Sequence, residues 1–523
     1  MSAAKPDQRR LNLLDRLIAQ IDPVRAVRRA VARKVLATYE GGERSRLRKF
    51  RTDTQSANQL VASKAADVRA QARYLERNHD IARGILRTMV NNIVGPEGVT
   101  VEFQPRRADG TIHKEHADKL TELWRDWQRK PEVTHALSWS RVQRLVARTW
   151  LRDGEAFAQR LIGPVPTLQH GTTVPFSLEL LEPDMIPLDF EDTGRNIYQG
   201  IERNTWGRRV AAHVWKQNPL ESTSFPSASS LKRVSWDNIL HVALIDRIGQ
   251  MRGVSEFASI ITRLEDIKDY EESERVAAKI AAMLTAYVKR QAPDGDGYTG
   301  PATDAEGNAV PRELRLSPGT IIDSLAVGEE IGLIDSNRPN PNLVTFRAGQ
   351  LRAAAAGVGA SFSSISKQYD GTFSSQRQEL VEQWVNYATL TDEFVCQWIQ
   401  PVVEQFILVA HLSGHAVIPA DVKAGTHDDV LYIGQAMPWI DPMKEAEAFL
   451  ALAKAGFISE PEVIRRRGGN PRDTMEQQAT WRQMAREKGL VLSSDAANDN
   501  SNSKAGSSAP ASSNSSEPAK QAA

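Results

Sequence analysis

Residues 254–291 contain neither proline nor glycine, and the stretch is closed by Pro293 and the glycines that follow it. Apolar side chains recur at Val254, Phe257, Ile261, Leu264 and Ile267, then at Tyr270, Ala277, Ile280, Leu284 and Tyr287. Spacing by three and four places them on one stripe of an α-helix. At 1.5 Å per residue such a helix would reach roughly 57 Å, longer than an ordinary single-domain helix. Its middle carries Glu265, Asp266, Asp269, Glu271, Glu272 and Glu274 against Lys268 and Arg275. A rod half apolar and half acidic needs neighbours along its length, either from its own chain or from copies of it.

A chain of 523 residues has room for roughly two to four domains and a substantial core. With 41% apolar and 25% charged residues it reads as an ordinary soluble protein. The single cysteine, Cys396, excludes an internal disulfide framework and a multi-cysteine zinc site, which fits a reducing compartment. No run of about 18 uncharged apolar residues exists, so no membrane span is expected. The pattern Leu11, Leu13, Leu14, Leu17 and Ile18 reads as an amphipathic helix, because Asp15 and Arg16 interrupt what would be a signal-peptide core. The expectation is a soluble protein made in the cytosol, with no membrane partner.

The formal net charge of +1 hides a basic arm. Arg25, Arg28, Arg29, Arg33, Lys34, Arg44, Arg46, Arg48, Lys49 and Arg51 face only Glu40 and Glu43. Such an arm can neutralise phosphates without sequence preference, or it can be a solvated subunit-contact surface. Only Tyr39 and Phe50 lie within it, so base stacking is not indicated.

Further along, a helical pattern over 62–92 is interrupted by Gly84, a turn follows at Gly95-Pro96-Glu97-Gly98, and 99–103 alternates as a strand. Helices are expected over 112–128 and 139–151, and 156–242 reads as mainly β, with short strands at 176–181, 200–202 and 210–215. A Gly/Pro/Asp segment at 293–311 suggests a projecting loop, with strand-like stretches at 320–322 and 330–334. Helices are expected over 345–356 and 375–412, and over 442–490 with breaks at Gly456 and Gly468-Gly469. The Ser/Asn/Ala-rich end, 493–523, is too polar to bury a core and reads as disordered.

Catalytic constellations are scarce. Neither the phosphate loop of ATPases nor a Gly-x-Ser-x-Gly elbow is present. Cys396, beside Phe394 and Trp398, reads as a buried small apolar residue rather than a nucleophile. His411 and His415 have the spacing of a helical metal pair, with His427, Asp428 and Asp429 nearby, but Gly414 breaks the helix between them. His113 and His116 read as surface residues, and Glu182, Asp184, Glu191 and Asp192 as loop acids with a two-metal nuclease site as the sharper alternative. No catalytic residue, metal or cofactor is expected.

The order of short motifs resembles phage portal proteins of the lambda family over roughly residues 69–442. The residues that carry it are Asn91-Asn92-Ile93-Val94-Gly95-Pro96-Glu97-Gly98-Val99, Trp150-Leu151-Arg152-Asp153-Gly154-Glu155-Ala156-Phe157 and Leu181-Glu182-Pro183-Asp184. Gly200-Ile201-Glu202 with Gly207-Arg208, and Ile239-Leu240-His241-Val242, come next. Arg247 and Gly249-Gln250-Met251-Arg252-Gly253-Val254-Ser255 then lead into the long helix. Leu316-Ser317-Pro318-Gly319, Gly328-Glu329-Glu330 and Phe373-Ser374-Ser375-Gln376-Arg377 complete the series. Thr372-Phe373 departs from the family's Asn-Tyr, and the proline often found after Ile245 is missing.

The resemblance implies an α+β portal fold assembled as a ring of twelve subunits at one capsid vertex, nucleating the head and conducting double-stranded DNA. Its parts would be a basic arm (1–60), an α/β wing (61–253), the stem helix (254–291) and a clip (292–334). A second helical region (335–441), a helical crown (442–490) and a tail (491–523) would follow. Implied partners are other copies of the chain, the terminase large subunit that hydrolyses ATP, capsid and scaffold proteins, head-completion or tail adaptors, and DNA. The implied setting is the virion.

A conduit needs weak, sequence-blind contact, because each neutralised phosphate adds grip through counterion release. Glu265, Asp269 and Glu272, with Lys279, are therefore the channel-facing candidates: an acidic face repeated round a ring would repel the backbone. The alternative is that these acids pair with Lys268, Arg275 and Lys279 on neighbouring helices. Two other functional readings stand beside the portal. One is a capsid-associated DNA-binding scaffold that uses the basic arm; the other is a hydrolase built on His411, His415 and nearby acids.

Overall fold

A computed structural model of the chain describes residues 54–221, 228–282, 286–290, 329–333, 342–437 and 441–490, with single residues 20, 22, 24 and 492. The chain divides into a unit at Met1–Ser56 and a unit at Ala57–Ala523. Arg25, Arg28, Arg29, Arg33, Lys34, Arg44, Arg46, Arg48, Lys49 and Arg51 lie outside the described residues, as do most of 292–334 and all of 493–523.

The second unit opens with α1 (Ala57–Asn78) and α2 (Asp80–Ile93). The break between them is His79, not Gly84. His79 is extended (φ −127°) and its Nδ1 accepts the Ile81 amide, capping α2. Gly84 stays inside the helix, and an added Cβ there would meet nothing within 4 Å. Strand β1 (Thr100–Phe103) leads to α3 (Lys114–Trp127) and α4 (Trp139–Asp153). These two helices bring four tryptophans inside. Trp127 stacks on Trp124 at 4.8 Å and on Phe176 at 5.4 Å, and its indole N–H donates to the Phe176 carbonyl at 2.8 Å.

The β part follows as β2 (Glu155–Ile162), β3 (Phe176–Leu181), β4 (Ile197–Tyr198), β5 (Ile201–Arg203), β6 (Arg209–Trp215), β7 (Leu231–Ser235) and β8 (Ile239–Ala243). They form two antiparallel sheets, β3-β2-β8 and β4-β5-β6-β7. Strand β2 is the shared wall, because alternate side chains leave a strand on opposite faces. Ala156 and Ala158 join the main core with α1–α4, whereas Phe157 joins a smaller core with Ile201, Val214 and Met251.

The predicted 254–291 helix is corrected here. Glu256–Ser259 is a 3₁₀ turn, the α-helix α5 runs Ile261–Ala282, and Ala286–Arg290 is a strand, β9, paired antiparallel with β10 (Glu329–Leu333). At 1.5 Å per residue α5 spans roughly 33 Å.

The return path is α6 (Leu343–Gly357), the short α7 (Phe362–Ser366) and α8 (Phe373–Phe394), which continues through a π turn (Val395–Ile399) into α9 (Gln400–Leu412). Pro401 has no N–H for the Gln397 carbonyl, and its ring would crowd that carbonyl in a regular helix; the widened turn takes up the conflict. Strand β11 (Val430–Ile433) pairs with β1, and α10 (Pro442–Lys454), α11 (Glu460–Arg466) and α12 (Pro471–Glu487) close the described chain. No described helix is long and apolar enough to cross a membrane.

Candidate functional site

The root of α5 is a buried carboxylate. Helix α4 stops at Asp153 because Gly154 takes φ +91°, a conformation that a Cβ disfavours. Space adds a second reason: a Cβ on Gly154 would lie 2.3 Å from the Val254 carbonyl carbon, and one on Gly253 would lie 2.0 Å from the Gly154 oxygen. Two backbones touch at this pair of glycines. Glu155, the next residue, is completely buried. It accepts hydrogen bonds from Arg252 Nε (2.9 Å), Arg69 Nη2 (3.0 Å), His241 Nε2 (3.0 Å) and the Gly253 amide (3.0 Å).

Arg252 is equally buried and spends its other N–H groups on the carbonyls of Ile186, Gln199 and Pro183. Burial pushes the Glu155 carboxyl up, but Arg252, His241 and Arg69 outweigh it and hold the carboxyl well below the usual range. For His241 burial wins: the imidazole is pushed down to about 4 although Glu155 pulls it up. It sits neutral, with Nδ1 accepting from Arg209 at 2.9 Å.

Around this centre the charges alternate. Asp184 takes Arg69 at 3.3 Å and Arg73 at 2.6 Å, Asp153 takes Arg73 and Arg152 at 2.7 Å each, and Glu76 takes Arg152 at 2.9 Å together with Arg148. The network ties α1, α4, β2 and the segment that launches α5 into one block. Replacing a buried ion pair by apolar groups can be neutral, but removing a single partner strands a buried charge.

From this root, Ser255 caps the 3₁₀ turn, and Ile261, Leu264 and Ile267 of α5 pack into the core. His79 Nε2 donates to the Leu264 carbonyl at 3.0 Å, a second tie between the first two helices and α5. On the remaining surface Glu265 is half-buried, while Asp269, Glu272 and Lys279 are exposed. At 100° per residue these four fall within an arc of roughly 80° on one side of the helix. None of them enters an ion pair among the described residues, and two cations nearby are engaged elsewhere. Lys268 sits over the Tyr74 ring at 5.1 Å, and Arg347 of α6 takes Glu271 at 2.6 Å. The structure thus brings the four sequence-predicted residues together as an unpaired, mainly acidic stripe.

Other expectations fare differently. Cys396 is exposed, not buried, and partial desolvation, then Asp392 and Glu393, push its thiol up. Cys396 is two residues from both Phe394 and Trp398, about 200° round a helix from each, so those two go inward while Cys396 emerges. His113 and His116 are buried rather than on the surface. His411 bonds the Ala416 carbonyl and His415 is exposed, and among the described residues no three His, Cys, Asp or Glu side chains could share a metal. Asp184 is no free loop acid but part of the buried network, and Asp192 caps a 3₁₀ turn. Sequence reasoning missed Glu155, Arg69 and Arg252 as partners. The signal was there: two glycines, each beside a charged residue that opposes the other, in Asp153-Gly154-Glu155 and Arg252-Gly253.

Comparison with known proteins adds a family. A family described as phage portal protein, lambda family, matches residues 43–390, more than half of the chain. The chain is 22% identical over 437 residues to a probable portal protein of Halomonas phage phiHAP-1, covering 82% of each protein. It is 21% identical over 345 residues to portal protein B of Escherichia phage lambda, covering 58% of this chain and 63% of that one. Among solved structures, a chain in the neck of a native gene transfer agent particle, computed with C12 symmetry, aligns with a TM-score of 0.39 at 13% identity. That alignment covers 80% of this chain and 94% of the other.

Proposed function

Because this chain belongs to the lambda family of phage portal proteins, we propose that it is the subunit of a twelve-membered ring at one capsid vertex. The ring nucleates head assembly and conducts double-stranded DNA during packaging and ejection. The chain is a conduit and not an enzyme; the terminase docked to it supplies ATP hydrolysis, and head-completion or tail adaptor proteins later take that place. Capsid and scaffold proteins surround it in the virion.

The observation that carries this reading is the unpaired stripe of Glu265, Asp269, Glu272 and Lys279 on a helix whose root is locked into the wing. Acids with no ion-pair partner among the described residues, repeated round a ring, would keep a phosphate backbone from settling against the wall. In this reading 61–253 is the wing and α5 the stem. The paired strands β9 and β10 flank the segment read as the clip that docks the motor, and α10–α12 form the crown.

Mass photometry and negative-stain imaging of the purified chain test the proposal. The expected particle is an annulus near twelve times the 58.0 kDa of one chain, and deleting the residues before Asp53 leaves its central hole in place. Compact monomers alone under assembly conditions would sink it.

A further inference from the structure

Strands β1 and β11 form a two-stranded sheet with two unlike faces. Val101, Phe103, Val430 and Tyr432 turn to the main core, so Glu102 and its cross-strand neighbour Leu431 turn the other way. Glu102 is 3% exposed, and what meets it on that face is charge. Arg465 of α11 donates from Nε to its carboxylate at 3.2 Å, and Arg472 of α12 lies 3.7 Å from the other oxygen. Two exposed pairs flank this contact, Arg125 of α3 with Asp473 at 3.0 Å and Lys114 with Glu476 at 3.8 Å.

Little apolar surface joins these helices to the rest of the protomer. Helices α10 and α11 bury no residue, and α12 buries only Pro471 and Ala485. Cavities open along the seam instead. One of about 700 Å³ lies against β11, lined by Leu431, Phe449 and Arg465, and one of about 630 Å³ separates α3 from α12, lined by Glu102, Ile112, Thr121 and Ala479. Meanwhile Met443, Phe457 and Trp481 stand in solvent, between 56% and 81% exposed. An ordinary docked helix turns its apolar stripe inward and its charges outward; here the contact with the body is the charged one.

We infer that α10–α12 form a detachable unit clasped to the body by charge, with Glu102 as the clasp, and that salt releases it. Opening an apolar seam exposes surface that water resists, whereas water takes back the ions of a charged seam, so the closed state is held by a small difference between large terms. Screening shifts that difference, because the range over which charges act falls from about 10 Å at 0.1 M salt to about 3 Å at 1 M. The exposed pairs of Arg125 and Lys114 weaken first, and the Glu102 contact is left to hold alone. Once free, α11 is a helix of 7 residues, too short to persist by itself. Release therefore shows as lost amide protection within the unit while the tryptophan-filled body stays closed. The inference does not depend on ring formation.

Hydrogen exchange read by mass spectrometry on the full chain tests it, at about 0.05 M and about 1 M NaCl and at a protein concentration where mass photometry shows one particle mass at both salts. Peptides within 460–487 should lose protection at least about tenfold at the higher salt, and peptides of α4 should not. Glu102→Gln keeps the shape of the side chain but leaves Arg465 and Arg472 without a counter-charge, and it should show that loss already at low salt. Arg125→Glu changes an exposed group on the body and leaves the unit's own sequence intact. In that variant α12 should lose protection about threefold at low salt and match the wild type at high salt, which serves if Glu102→Gln does not fold. Equal wild-type protection of 460–487 at the two salts, or wild-type protection at low salt in a folded Glu102→Gln or in Arg125→Glu, overturns the clasp.

Discussion

Glu155 and Asp269 are carboxylates on one continuous block of structure, yet they are treated in opposite ways. Glu155 is sealed from water, accepts bonds from two guanidiniums, an imidazole and a backbone amide, and sits where Gly154 and Gly253 let two segments touch. Asp269 stands exposed on α5 with no ion-pair partner among the described residues. A buried charge that every neighbour satisfies is a fastener, and it asks for nothing outside the protomer. A row of exposed like charges adds nothing to the protomer's own stability. In the proposed ring, its reason for being there lies in what the helix faces after assembly. The same contrast extends to α10, which buries no residue while Leu450 and Leu452 stand exposed, unlike the tryptophan-filled α3 and α4.

The contrast breaks first at Glu155. Glu155→Ala leaves Arg252 and Arg69 buried without their shared acceptor, and the expected loss is about 3–5 kcal/mol. Urea denaturation of the wild type and the variant measures it. A loss below about 1 kcal/mol, the level of an exposed pair, would show that the network is ornamental.

The pH profile comes next. His241 has a folded value of about 4, below its free value near 6.5, so the unfolded state binds the extra proton. Stability is whole above about 6.5 and falls as pH drops toward 4. The depressed Glu155 carboxyl adds a further loss as pH falls below the usual carboxylate range. Replacing the imidazole in His241→Gln should flatten the upper part of that fall. A wild-type profile level between pH 7 and 4.5 would contradict the assignment of a neutral buried ring.

Gly154→Ala forces a Cβ into a left-handed conformation and against the Val254 backbone. The expected destabilisation is about 2 kcal/mol or more, read as a drop in Tm. Should the variant keep the wild-type Tm, the close approach of the two segments would be wrong.

Much of this was legible in the chain and some was not, and the division follows the range of the interaction. Helices α3 and α4 and strand β3 announce themselves by local period, and the expected bounds differ from the observed ones by a residue or two. The expected long helix was overextended because Ala286-Tyr287-Val288-Lys289-Arg290 lacks breakers, yet it alternates as a strand does, and its partner Glu329–Leu333 lies far along the chain. The interruption at His79 was missed because histidine is a rarer cap than serine or aspartate, while Gly84 drew the eye. Cys396 was misread because it neighbours Phe394 and Trp398 in sequence, although two residues along a helix is the opposite face. His113 and His116 look solvated on a charged helix until Asp421 arrives from a loop some three hundred residues on. The acidic stripe was readable because helical phase is local, and the Glu155 network was not, because its members are separated in sequence and only motif order hinted that they belong together.

The smallest expected effect on the protomer sharpens the comparison most. Asp269→Lys with Glu272→Lys changes only exposed, unpaired groups, so unfolding free energy should shift by no more than about 0.5 kcal/mol. The assembled particle should respond differently. If the stripe lines the conduit, the variant ring gains cations where the wild type repels phosphate, and its retention of linear duplex DNA should rise steeply as salt is lowered. Filter binding of variant and wild-type rings at two salt concentrations gives the answer. Equal, salt-insensitive retention would place the stripe away from DNA, while a large loss of protomer stability would mean that these acids are satisfied inside the subunit as Glu155 is.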